Sequence, residues 1–381
     1  MIDPIGGHGG IHLYCLPLCK AISKEGKVTY YTTDETPSDL SVPFPVKRLF
    51  RNIYTPRYKL QKAINYELGL MKIAADIFRT RPKIVHMQCF GPTFLDLTLI
   101  KLLRSLMPSL RIVGTIHDVT PFGYYYQSPR AITKVYRCLD GCIVHTREDK
   151  PNLVKTYGIH ESSVHIIRHG NFLGDEFCGI DNEENQEETF VAEGPVRFLF
   201  FGQIRPEKGL AELIAACGTL KKKGRDFRLV IAGKCRSGPL SSYAAYESQI
   251  RNSGLHEQVI FENRFIPDKE VHLYFSACHV VVLPYTQISQ SGVALLAFSK
   301  ARPILASKIG CFQEMVVEGR TGWFCKPNDV NSLADALEKA LSAPMEKIKT
   351  MGMNAKKFVE TNYSWEKAGI DTLRFYREII G

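Results

Sequence analysis

The chain has 381 residues, 45% apolar and 23% charged, and its 49 Lys and Arg against 39 Asp and Glu give a formal net charge of +10. That length suits two domains of about 150–200 residues each, and no apolar run reaches the roughly 18 residues that a membrane-spanning helix needs. The eleven cysteines are scattered, with no Cys-x-x-Cys pair and no Cys/His cluster at zinc-ligand spacing, so a zinc site is excluded and a reducing setting is expected.

Met1-Ile2-Asp3-Pro4 lacks the basic flank and apolar stretch of a signal peptide, so a cytoplasmic location is expected. Met1–Ile5 leaves room only for a very short first strand before Gly6-Gly7-His8-Gly9-Gly10, which opens an amphipathic helix from Ile11 to about Lys24. Glycines there permit close backbone approach, and free helix amides favour an anion. The pattern is neither Gly-x-Gly-x-x-Gly nor a Walker loop, so a ligand-facing loop and a plain tight turn both remain open. Cys15 and Cys19, four residues apart, read as packing groups.

Short β-branched runs then alternate with helical patterns, as expected of parallel sheets built from βαβ units. In the first half the expected strands are Val28–Thr33, Ile84–Cys89, Ile112–Ile116, Cys142–Thr146 and Val164–Arg168, with helices over Leu60–Phe78 and Leu95–Leu106. Lys47 to Arg111 holds thirteen Lys and Arg against Glu67, Asp76 and Asp96, and its first cations interleave with Leu49, Phe50, Ile53, Tyr54, Tyr58 and Leu60. Such a mixture suits the interface of an anionic membrane, and a solvated basic face is the alternative. His117 ends a strand and is followed by Asp118; it points to a ligand crevice or to a structural hydrogen bond at the domain edge. His169-Gly170 ends another strand and reads more readily as structural.

Residues 1–174 carry a net +10, residues 175–194 carry −8, and residues 195–381 carry +8. The acidic block cannot bury much apolar surface and reads as a linker over 175–195. The expected domains are 1–174, 196–362 and a final helix over 363–381.

In the second half the expected strands are Val196–Phe201, Leu229–Ala232, Val259–Phe265, Val280–Pro284, Ile304–Ala306 and Trp323–Cys325. Helices follow near Leu210–Leu220, Ser242–Asn252, Asp268–Ala277, Gly292–Lys300 and Ser332–Leu341. A strand ends at Gly202, and Gln203-Ile204-Arg205-Pro206-Glu207-Lys208-Gly209 leads into a helix. Ligands of open α/β sheets bind outside the carboxyl ends of strands, where Arg205 can fork onto phosphate oxygens and Lys208 supplies a compact charge. Ser289-Gln290-Ser291-Gly292 joins a strand to a helix, and its small polar groups and free amides suit a ribose or phosphate.

These landmarks in this order resemble a family 4 glycosyltransferase of the group 1 type: the glycine loop, His117-Asp118, Gly202-x-x-Arg205-x-x-Lys208-Gly209, Phe265-Ile266-Pro267, the Ser289–Pro303 segment and Glu318-Gly319-x-Thr321-Gly322. The resemblance implies an α/β, GT-B fold, two Rossmann-like domains facing each other across a cleft, with the final helix crossing back to the first domain. It implies that Arg205 and Lys208 bind the donor diphosphate, that Ser289, Gln290, Ser291 and Gly292 hold the ribose and phosphate side, and that Arg264, Phe265 and Ile266 cradle the base. Gly9, Gly10 and His117 are implied to face the sugar and diphosphate, with Gly202 lining the phosphate loop. The family's two glutamates are missing: one register places Ile288 and Leu296 there, the other Ser289 and Ala297.

The expected function is therefore transfer of a hexose-type sugar from a UDP- or GDP-linked donor to a glycan or lipid-linked acceptor, in cell-surface polysaccharide or glycolipid synthesis. His117, Arg205 and Lys208 are the catalytic candidates. The resemblance implies retention of anomeric configuration. With no Asp-x-Asp in the chain, transfer without a metal or other cofactor is expected, cations and helix amides stabilising the leaving diphosphate. A non-catalytic sugar-binding or scaffold subunit follows from the missing glutamates, and a non-hydrolysing nucleotide-sugar epimerase shares the fold. The expected partner surface is an anionic membrane inner face met through Lys47, Arg48, Arg51, Arg57, Lys59 and Lys62. No nucleic-acid motif is present.

Overall fold

The computed structural model describes residues 1–6, 12–53, 58–119, 128–173, 194–235 and 242–381. It divides into two compact units, Met1–Gly170 with Tyr363–Gly381, and Asn171–Asn362. Gly9, Gly10, Tyr54 and Arg57 lie outside the described residues, as does nearly all of the acidic block.

The first unit runs α1 (His12–Ser23), β1 (Tyr30–Thr33), β2 (Val46–Phe50), α2 (Lys59–Thr80), β3 (Ile84–Cys89), α3 (Phe94–Leu106), β4 (Arg111–Ile116), α4 (Pro129–Arg137), β5 (Gly141–Val144), α5 (Asp149–Tyr157) and β6 (Val164–Ile166). All described pairings are parallel, in the orders β1-β2 and β3-β4-β5-β6. Ile2 closes the gap between the two sets by bridging Tyr31 on one side and Met87 on the other. Its N–H donates to His86 O at 2.8 Å, and its carbonyl accepts from Gln88 N at 2.9 Å. The short first strand is thus a single bridging residue in the middle of the sheet. The resulting order is that of a doubly wound fold, with its switch point between Ile2 and β3. Asp3, fully buried, fixes the exit: it accepts from Tyr30 Oη at 2.6 Å and from Ile5 N at 2.9 Å.

One feature of this unit differs from the expectation. The stretch around Lys47 to Ile53 is not a free amphipathic surface. Val46–Phe50 is a strand paired with β1, and Phe50 and Ile53 are core. Lys47 Nζ bonds Asp76 Oδ2 at 2.5 Å, and the Arg48 guanidinium donates to the carbonyls of Thr36 and Pro37. The alternation of strands and helices continues through α4 and α5. Pro129 in the first turn and the Ser128 cap start α4, whereas Gly158 in the left-handed conformation ends α5.

The second unit runs β7 (Arg197–Phe201), α6 (Leu210–Lys222), β8 (Arg228–Ala232), α7 (Tyr243–Asn252), β9 (Val259–Glu262), α8 (Asp268–Ala277), β10 (Val280–Leu283), α9 (Gly292–Ser299), β11 (Ile304–Ser307), α10 (Phe312–Met315), β12 (Gly322–Cys325), α11 (Val330–Leu341) and α12 (Met345–Asn362). Its six parallel strands follow the order β12-β11-β10-β7-β8-β9, so the direction of winding reverses between β7 and β10. β10 is an apolar run, as a strand covered on both faces must be, with every residue of Val280–Leu283 buried, and β7 is apolar from Phe198 to Phe201. The last helix, α13 (Trp365–Ile380), starts at a Ser364 cap and packs on α1 of the first unit, where Gly369 lets it approach Ala21 closely.

Candidate active site

At the switch point of the second unit, two loops cross. The chain leaves β7 through Gly202, at φ +103°, passes a short 3-10 turn over Pro206–Lys208, and enters α6 through Gly209, at φ +71°. A Cβ at Gly209 would lie 1.9 Å from Pro284 O, so only glycine lets this loop pass the one leaving β10. Thr286 N donates to Glu207 O at 2.9 Å and pins the crossing. The start of α9 closes the third side, with a Val293 methyl 3.5 Å from the Cβ position of Gly202. Ser291 caps α9 through Ala294 N at 3.2 Å, and Gly292 at its first turn is exposed.

The crossing holds both cations. Arg205 Nε lies 3.0 Å from Glu207 Oε1, a close ion pair without the alignment of a hydrogen bond. Lys208 Nζ sits 3.8 Å from the centroid of the buried Tyr285 ring, and the Tyr285 hydroxyl has no hydrogen-bond partner among the described residues. Ser289 and Ser291 are buried, Gln290 is half-buried, and Ile288 and Leu296 are half-buried apolar groups with no carboxylate between them. At the carboxyl end of β9, Phe265 is 70% exposed and Ile266 is buried. Arg264 faces the protein's own groups, donating to Glu262 Oε2 at 3.2 Å, Glu270 Oε2 at 2.6 Å and Tyr274 Oη at 2.8 Å. The three loops that carry the second-unit sequence candidates, after β7, β9 and β10, thus share one end of one sheet.

The first unit carries a different cluster at its strand ends. His117 follows β4, His145 follows β5, and His169 lies beyond β6; all three are buried around Tyr14, with ring centroids 4.9, 5.2 and 5.0 Å from it. His117 Nε2 donates to Gln88 Oε1 at 2.8 Å and stacks on Phe90 at 4.1 Å. His169 Nδ1 bonds Gly170 O at 2.6 Å and its ring meets Trp365 at 5.1 Å. Burial holds the His117 imidazolium well below its usual range, and His145, His169 and His86 nearby push in the same direction. Burial likewise lowers His145 to about 4 and His169 to about 3. At neutral pH these rings are neutral and polarise by hydrogen bonding, not by charge. Sequence reading missed His145 and Tyr14. The strand-end rule that singled out His117 and His169 applies equally to His145, whereas nothing local marks Tyr14 as their hub.

Beside this cluster, at the carboxyl ends of Ile2 and β3, lies a cavity of about 350 Å³ walled by Ile5, Met87, Phe90 and Leu95, with Lys62 and Asp96 as its charged lining. No group of three or more His, Cys, Asp or Glu placed to hold a metal occurs among the described residues.

Two doubly wound units, the second with two cations and a capped helix at its switch point, make up an architecture that known glycosyltransferases share. Comparison with known proteins places the chain within it. Residues 8–170 match the profile of glycosyltransferase family 4, and residues 181–358 match glycosyl transferases group 1. The chain belongs to this glycosyltransferase family. It is 30% identical over 219 residues to the alpha-D-kanosaminyltransferase of Streptomyces kanamyceticus, covering 56% of this chain and 54% of that protein. It is 23% identical over 393 residues to the D-inositol 3-phosphate glycosyltransferase of Corynebacterium glutamicum, covering 98% and 93%. The chain thus spans about half the length of the first of these relatives and nearly all of the second. Among solved structures, sucrose-phosphate synthase of Thermosynechococcus elongatus superposes with a TM-score of 0.75 at 21% identity, covering 99% of this chain and 98% of that one. The Anabaena protein HepE, in complex with UDP and glucose, gives 0.74 at 16% identity, covering 98% and 97%. These two share the GT-B fold with this chain.

Proposed function

We propose that the protein transfers a hexose-type sugar from a nucleoside-diphosphate donor to a glycan or lipid-linked acceptor in cell-surface polysaccharide or glycolipid synthesis. The observation that carries this reading is the crossing of the two loops at the β7/β10 switch point, which sets Arg205 and Lys208 beside the open start of α9. A departing diphosphate gains negative charge as the glycosidic bond breaks, and preorganised cations and amides at that position stabilise it without reorganising. In this reading the Arg205 terminal nitrogens and Lys208 take the diphosphate, and Ser289, Gln290, Ser291 and Gly292 take the ribose and phosphate side. Phe265 offers an exposed ring for the base, while Arg264, engaged with Glu262 and Glu270, holds that loop in place.

The chemistry assigned to these residues needs no metal, and the leaving phosphate takes the acceptor proton in a transfer with retention. With no carboxylate at Ile288 or Leu296, the sugar and ribose hydroxyls are met by neutral groups. The cavity beside Ile5 and Phe90 is assigned to the acceptor, and an anionic membrane surface is the proposed partner of the first unit. Names of the relatives favour sugar transfer over a purely structural role, and UDP in complex with HepE makes UDP the first base to test. Thermal shifts with UDP, GDP and ADP, followed by transfer assays with the stabilising nucleotide's sugars, check the proposal. Donor binding without any hydrolysis or transfer would instead favour the sugar-binding subunit.

A further inference from the structure

The outer face of α2 is apolar where a solvated helix should be polar. Its inner face, Leu70, Ile73 and Ile77, is buried in the core of the first unit. Leu60, Ile64, Leu68, Met71, Ala75 and Phe78 recur at intervals of four, four, three, four and three, which sets them in one stripe roughly opposite the buried face. All six are exposed, Leu60 at 72%, Met71 at 60% and Phe78 at 46%. Tyr58, 74% exposed, precedes the helix. The neighbouring helix α3, joined to α2 by Tyr66 Oη to Asp96 Oδ1 at 2.7 Å, adds exposed Leu102 and Leu106. A contiguous exposed apolar face of this kind marks an interaction surface.

Charge selects the partner. Exposed Lys59, Lys72, Arg79, Arg81, Lys83 and Lys101 surround the stripe. Of the acids on α2, Asp76 is occupied by Lys47, Arg79 and Tyr31, which leaves Glu67 as the other carboxylate on the helix. A second copy of this chain would bring like charges together across a two-fold interface. A bilayer rich in anionic lipid accepts both features at once, taking the apolar stripe into its headgroup boundary and the cations at its surface.

We propose that the outer face of α2 is a membrane-docking element that lies in the interface of an anionic bilayer, with Leu60, Ile64, Leu68, Met71 and Phe78 inserted. This moves the docking face from Lys47 and Arg48, whose side chains are tied within the fold, to the helix that follows. The first turns of the same helix, through Lys62, Ala63 and Tyr66 on its other side, line the cavity beside Phe90, so docking would set that cavity one helix diameter, roughly 10 Å, from the bilayer surface. Only this last link rests on the acceptor being lipid-linked.

The test uses the full chain and vesicles of phosphatidylcholine alone or with phosphatidylglycerol, with no donor present, so its failure leaves the transfer reading untouched. Co-sedimentation with the anionic vesicles is expected, weakening as salt rises. Ile64→Asp and Leu68→Asp should each lower binding by about tenfold or more, and Lys72→Ala by about fivefold. Thermal unfolding should match the parent, since these side chains face outward. A Leu68→Trp variant, read against the signal of Trp323 and Trp365, should shift to shorter wavelength on anionic vesicles and be quenched by brominated lipid. Emission that does not move, or Asp variants that bind as the parent does, would overturn the proposal. So would a lipid-free dimer, seen by sedimentation velocity, that Ile64→Asp dissociates; the face would then be an interface between copies.

Discussion

The two units share a doubly wound topology and both gather their candidate groups at the carboxyl ends of their strands, yet they treat those groups in opposite ways. In the second unit Arg205 and Lys208 are partly buried side chains, each held locally, one by Glu207 and the other by the face of Tyr285. In the first unit His117, His145 and His169 are buried around Tyr14, and burial strips them of charge. A leaving diphosphate needs fixed positive charge; neutral, hydrogen-bonded rings suit uncharged hydroxyls and the rigid positioning of a strand end. The same strand-end rule therefore yields an electrostatic site in one unit and a packed polar one in the other, and desolvation makes the difference.

The largest expected effect tests the charged side. Replacing Arg205 and Lys208 together with Ala should reduce transfer by roughly 10²-fold or more, as loss of a main transition-state donor does, with a small change in stability. Near-parental turnover in the double variant removes the diphosphate from this crossing.

Next comes the crossing itself. Gly209→Ala puts a Cβ 1.9 Å from Pro284 O at φ +71°. The left-handed conformation costs about 1–2 kcal/mol and the clash about 1–3 kcal/mol more. Denaturant unfolding should register this, and nucleotide binding should weaken with it. A variant as stable as the parent means that the loops do not meet as described.

The neutral histidines make an acid-dependent prediction. A buried His with a lowered pKa contributes its full stability above its unfolded value near 6.5 and loses it as pH falls from there toward 3–4, because the unfolded chain binds the proton first. His86 and His169, lowered to about 3, and His145, lowered to about 4, define that window. The first unit should weaken between pH 6.5 and 4 by about 1.4 kcal/mol per pH unit for each histidine that stays neutral. Each unit carries one tryptophan, Trp365 in the first and Trp323 in the second. Acid unfolding followed through Trp365 in a Trp323→Phe background reads the first unit, and His145→Gln should flatten the slope. Equal acid sensitivity of the two units would erase the contrast drawn here. His117→Ala should impair turnover and also cost about 1–3 kcal/mol, since it leaves Gln88 Oε1 without this donor.

The smallest effect is none at all. If Arg205, Lys208 and the α9 amides supply the charge, excess EDTA should leave the rate unchanged; abolition of the chemical step by chelation would assign that charge to a metal instead.

The alternation of strands and helices was legible in the sequence because it rests on local periodicity. Ile84–Cys89 and Asp268–Ala277 fall where the pattern sets them. The Gly202–Gly209 loop was equally legible, since a strand end, two cations and a glycine stand within eight residues, and so was the absence of carboxylates at Ile288 and Leu296. Tertiary structure decided the rest, because it joins residues that no local pattern links. Ile2 becomes a strand only because β1 and β3 flank it; Tyr14 becomes a hub only when three strand ends converge on it. Lys47 and Arg48 looked like free surface charge until β2 paired with β1 and Asp76 came within reach. The stripe from Leu60 to Phe78 is present in the sequence as a helical repeat, but a helix with apolar residues on both faces does not announce which one the core takes. Packing of Leu70, Ile73 and Ile77 against the sheet settled that, leaving the other face to solvent.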